Sequence, residues 1–160
     1  MTKTETIHNM LEAYHRHEAA HTIAVCFELE GVPMARFVPS WQLEPFMELT
    51  TASSHHDKAV SLRLSKLNKS LLAFLSEVCF PIGTAEDLQK ALTETASGGR
   101  LNRGLAYEKL FFEHYSQPWK RDSRPWWEVP DFEFPEGLKV QIKSPRATFT
   151  TDAQLRRLGQ

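Results

Sequence analysis

The chain has 160 residues, of which 41% are hydrophobic and 24% charged, with a formal net charge of -1. This length suits one compact domain, and the composition excludes global disorder. The balanced charge gives no bulk electrostatic argument for nucleic acid or an acidic membrane as partner.

No apolar run reaches the roughly 18 to 20 residues that span a bilayer. Met1-Thr2-Lys3-Thr4-Glu5 lacks the layout of a secretory leader. A soluble, cytoplasmic protein is therefore predicted. Cys26 and Cys79 sit in apolar stretches with no second Cys or His at ligand spacing, so they read as buried, reduced thiols.

Taken in chain order, Thr4 to Glu30 reads as one long helix or two running together. Ile7, Met10, Leu11 and Tyr14 recur at helical spacing, and Ala20, Ile23, Ala24 and Phe27 continue the stripe. Gly31 and Pro33 end it. Met34 to Val38 and Phe46 to Thr51 are short strand candidates; the second could pair with an extended peptide along its edge.

A second long helix is expected from His56 to Phe80, with Val60, Leu64, Leu67, Leu71, Phe74, Leu75 and Val78 on one side. Thr84 can cap a helix from Ala85 to Ala96. A fourth helix should cover Arg103 to Tyr115. Trp119 to Trp127 interleaves aromatic and basic residues in a loop, read as tryptophans packed on the core with charges outward. Val129 to Phe134 and Leu138 to Lys143 should form a hairpin across Pro135-Glu136-Gly137. Asp152 can cap a last short helix ending at Gly159.

One pattern carries chemistry directly. His17-Glu18-Ala19-Ala20-His21 fits H-E-x-x-H. On a helix, residues four apart share a face, so His17 and His21 could reach one Zn²⁺ while Glu18 activates a bound water. His8, His15, His55 and His56 read as surface residues. A third ligand is required; Glu108 and Glu113 on the fourth helix compete with Asp87 for that place. Asp87 also fits a capping box with Thr84.

The segment His17 to Val25, followed by Val32 to Pro39, resembles the start of the peptidase domain of FtsH-type proteases. Leu72 to Glu77 and Gly83 to Ala91 are similar to that family's second signature. The resemblance spans about residues 10–96 and implies Asp87 as third zinc ligand. It departs from the family at Ala20, where Gly is usual, and in the short loop between Glu77 and Gly83; no ATPase domain or membrane anchor is recognised.

It implies a mainly helical, zincin-like α+β single domain over 1–160 with a small sheet or hairpins. The implied activity is zinc-dependent hydrolysis of peptide bonds in a peptide or protein substrate. Residues 97–160 fall outside the resemblance.

Two alternatives stand beside it. One is a non-catalytic zinc-containing binding module. The other is a Mg²⁺-dependent nuclease: Pro130-Asp131 followed by Gln141-Ile142-Lys143 is similar to the PD-(D/E)xK pattern, with Gln141 where a second carboxylate is usual and Glu108 as a further candidate.

Overall fold

The computed structural model describes residues 2–17, 20–53, 58–119 and 130–150. The expected first helix ends early: α1 covers Lys3–His17, and the apolar run beyond it is strand β1, Thr22–Leu29. Ile23 through Phe27 are fully buried on both sides of that strand. A short, continuous apolar run carries no period of its own, so it fits a doubly covered strand as well as a helix stripe.

The local evidence for a strand lies at its end. Leu29 pairs with Val32, the first residue of β2 (Val32–Pro39), which leaves Glu30-Gly31 as a two-residue hairpin loop. Both loop residues have positive φ, 50° and 84°. That is the conformation of the primed turns whose twist matches an antiparallel pair.

The second expected helix also divides. A 3-10 segment (Ser40–Phe46) leads to β3 (Met47–Ser53), which pairs antiparallel with β4 (Lys58–Leu64). Among the described residues of that span, only α2, Lys69–Ser76, is helical. Asn68 starts it by accepting the Leu71 N–H at 2.9 Å. Leu62 and Leu64 are buried two residues apart, the strand period.

The later elements follow the expectation closely. After the two-residue strand β5 (Phe80–Pro81) come α3 (Ala85–Thr95) and α4 (Arg103–His114). β6 (Phe132–Glu133) and β7 (Lys139–Lys143) form the expected antiparallel hairpin, and β8 (Thr148–Thr150) follows. The predicted last helix from Asp152 and most of the Trp119 to Trp127 loop lie outside the described residues.

The described residues form two sheets, in the orders β5-β2-β1-β7-β6 and β3-β4-β8. β1 is central in the larger one, antiparallel to β2 and parallel to β7. β3 is the outer strand of the smaller sheet, as an edge strand requires. The mainly helical, zincin-like reading is therefore corrected. The domain is an α+β arrangement built on two sheets, because the apolar segments read as helix stripes are used as strands.

Alternate residues of β1 feed two cores. Ile23, Val25 and Phe27 pack with α1, α2 and the smaller sheet. Ala24 and Cys26 pack with α3, α4, Phe132 and Val140. Cys26 is buried and Cys79 half-buried, and both are free thiols. Among the described residues, no helix is long and apolar enough to cross a membrane.

Gly31→Ala tests the hairpin by sign. A helix through this position would gain from alanine. The positive-φ turn should instead lose about 1 kcal/mol or more, read as a lower denaturation midpoint in urea.

Candidate functional site

The histidine pattern straddles a junction rather than lying on one helix. His17 is the last residue of α1, and His21 is an exposed residue at the bend just before β1. Glu18 and the side chain of His17 lie outside the described residues. The ring beside His21 belongs to His15, at 6.3 Å between centroids and nearly parallel.

His15 is held by the Ser40 hydroxyl, 2.7 Å from its Nδ1, and meets the edge of Trp41. The His21 carbonyl accepts the Ser40 N–H at 2.9 Å. These contacts tie the end of α1 to the 3-10 segment. His17 is helical and His21 is not, so among the described residues the two are not placed on one helical face.

Asp87 forms the capping box. Its Oδ2 accepts the Thr84 N–H at 2.8 Å, and its own N–H donates to Thr84 Oγ1 at 3.1 Å. These bonds from Thr84 hold its carboxyl below the usual range. Glu113 is paired with Lys109, one turn away on α4. Among the described residues, no three His, Cys, Asp or Glu side chains are grouped as a shared metal ion would need.

The β6–β7 hairpin brings a different set together. Phe132 pairs with Val140, and Asp131 is the bend residue that leads into β6. Phe132 and Val140 point into the α3–α4 core, and alternation along β7 turns Gln141 and Lys143 to the other face. Asp131 Oδ2 accepts the Ile142 N–H at 2.8 Å.

Lys143 lies over the Phe149 ring, 5.2 Å from its centroid, and its Nζ donates to the Thr148 carbonyl at 3.1 Å. Gln141 is fully buried. The Phe132, Phe134, Phe111, Phe112 and Tyr115 rings pack edge-on around the hairpin's other face and fix its position.

Burial is the dominant influence on Asp131 and pushes its carboxyl above the usual range. The Ile142 N–H and the Lys143 charge oppose that shift without cancelling it. Glu108 stays on the α4 side, where its charge adds to burial in raising the Cys26 thiol. It meets the hairpin at a cavity of about 220 Å³, whose opposite wall includes Ile142, Lys143 and Ser144.

Asp131 and Lys143, the residues of the alternative nuclease pattern, are brought near one another by the hairpin; Gln141 between them in the pattern is buried, and Asp131 is bonded to the backbone of β7. The one signal available was the alternation in Val140-Gln141-Ile142-Lys143. No family model matches the chain, and no curated protein or solved structure matches it either.

The raised Asp131 carboxyl has a signed consequence. The folded chain keeps a proton that the unfolded chain has already lost, in a window opening at the ordinary value of 3.8. Stability from this group therefore falls as pH rises through that window and is level above it. Asp131→Asn should remove that slope and raise the melting temperature at neutral pH, followed by thermal melts from pH 3 to 8.

Proposed function

We propose that the chain hydrolyses phosphodiester bonds with a Mg²⁺ ion held at the β6–β7 hairpin. The observation that carries this reading is the Asp131 carboxylate bonded to the Ile142 N–H, in the middle of Gln141-Ile142-Lys143 and facing Lys143. Asp131, in the bend just before β6, is thereby held against the strand that carries Gln141 and Lys143. Strands position such groups more rigidly than loops do.

The donor chemistry fits a hard cation. Asp131 offers a carboxylate and Gln141 an amide oxygen, and oxygen sets of this kind suit Mg²⁺ rather than Zn²⁺. A bound Mg²⁺ polarises the phosphate and lowers the pKa of an attacking water.

The chain's own residues supply the rest. Burial makes an unneutralised Asp131 carboxylate costly, so this side chain favours a cation or a proton beside it. Lys143 has its ammonium over the Phe149 ring and bonded to the Thr148 carbonyl. Its charge is thereby fixed where negative charge develops on a phosphate, and its Nζ can orient or donate a proton to an oxygen there.

The balanced net charge of the chain does not bear against this substrate, because recognition of phosphate depends on where the cations lie rather than on their sum.

The zinc-peptidase reading drew on His17 and His21 sharing one helix with Glu18 between them. That support falls away where α1 stops at His17. The two chemistries differ in metal and in essential residue, so one experiment separates them.

Purified protein is incubated with plasmid and oligonucleotide substrates plus Mg²⁺, and in parallel with casein plus Zn²⁺. Mg²⁺-dependent cleavage of nucleic acid is expected, reduced about 100-fold or more by Asp131→Asn and by Lys143→Met, with unchanged circular dichroism. Hydrolysis of casein that is lost in Glu18→Gln, with nucleic acid left intact, would replace this reading with the peptidase.

A further inference from the structure

We infer that a groove between the start of α4 and the β7–β8 turn seats the backbone phosphates of a nucleic-acid strand, with Arg103 and Arg146 on its two sides. The inference rests on the phosphodiesterase reading and extends it to the substrate's contacts beyond the cleaved bond.

The groove is made of two neighbouring cavities. One, of about 230 Å³, lies between Arg103 and Tyr107 on α4 and Ser144, Pro145 and Arg146 on the turn. The other, of about 220 Å³, shares Tyr107 and Ser144 and continues to Glu108 and Lys143. A strand lying along both would run from the two arginines to the lysine of the Gln-x-Lys segment. That is the direction in which a polymeric substrate, unlike a free phosphate, has something to bind.

Both arginines are built to present charge outward. Arg146 is exposed, but its backbone is fixed: its N–H donates to the carbonyls of Leu64 at 2.9 Å and Ser65 at 3.2 Å, and its φ is 71°. Nothing in a solvent-facing turn of this kind calls for a cation at the left-handed position, where Gly or Asn is the ordinary choice.

Arg103 has a half-exposed side chain, and its nearest carboxylate, Glu28, stands 4.0 Å away. An exposed pair that long contributes little, and the guanidinium's other partner is the neutral Tyr107 hydroxyl one turn along α4, so its positive charge stays largely uncompensated. The groove carries Arg103, Lys143 and Arg146 against Glu28 and Glu108, so its excess is positive. Guanidinium groups recognise phosphate through paired N–H donors, which a neutral side chain cannot replace.

The test measures binding without cleavage. Wild type and the Arg103→Gln/Arg146→Gln pair are titrated in EDTA against labelled duplex DNA, single-stranded DNA and RNA of one sequence, across a range of salt. Wild type should bind at least one of the three, and that arm identifies the source of the phosphates.

The double variant should bind it on the order of tenfold more weakly per arginine removed. The slope of log affinity against log salt should become shallower by about 2. Arg103→Lys/Arg146→Lys should keep the wild-type slope. In the intact wild-type protein, the arginine Nε–H signals of residues 103 and 146 should shift on titration, a reading that needs no variant to fold.

Unchanged affinity and slope in the glutamine pair, unmoved Nε–H signals, or no binding in any arm would overturn the groove. Binding that depends on the arginines in a protein with no Mg²⁺-dependent cleavage would uphold the groove and overturn the hydrolysis reading instead.

Discussion

The structure depends on the complete burial of β1. Five consecutive residues, Ile23 to Phe27, lose all contact with water. Their backbone groups must then find partners within the protein, since an unpaired buried N–H or carbonyl costs as much as a lost hydrogen bond. β2 supplies them on one side and β7 on the other. The side chains divide between two cores, one under α1 and the smaller sheet and one under α3 and α4. Each core lies against this strand, and so does the hairpin that carries Asp131 and Lys143.

That same strand explains which parts of the fold were legible in the sequence. α3 and α4 have strong local signals, the Thr84–Asp87 capping box and the Asn102 side chain accepting the Leu105 N–H. The β6–β7 hairpin has alternation and a Gly137 turn at positive φ. β1 has neither period nor breaker, because a strand covered on both faces needs no polar side. Its apolar run therefore joined onto α1 in the linear reading.

The segment from Lys58 to Leu75 misled in a related way. Leu64, Leu67, Leu71 and Leu75 recur at helical spacing, yet Leu64 ends a strand and Leu71 lies inside a helix. The break between them is marked by Asn68, a cap residue that the apolar stripe outweighed.

The two candidate sites show differently in the string of residues. The five residues from His17 to His21 form a compact pattern, and such a pattern is conspicuous wherever it falls. Its chemistry depends on one continuous helix, which is a property of the surrounding chain. The Asp131 and Gln141-x-Lys143 set is spread over 13 residues and is degenerate as a string. The chemistry proposed for it depends on β6 and β7 being adjacent, and the turn at Gly137 provides that adjacency locally. What no string could carry is the burial of Gln141, which comes from β1, more than a hundred residues earlier.

The parallel pairing of Thr22 with Val140 orders events in time as well as in space. The β1–β2 hairpin closes over two residues and can form as soon as it is made, whereas β7 must return across most of the chain, a slow closure. Until it docks, β1 presents an open row of backbone donors and acceptors to any other strand, its own or a neighbour's. The pairing that covers this edge of β1 is also the one that sets Gln141 and Lys143 in place, so one long-range contact closes the sheet and positions that face of the hairpin together.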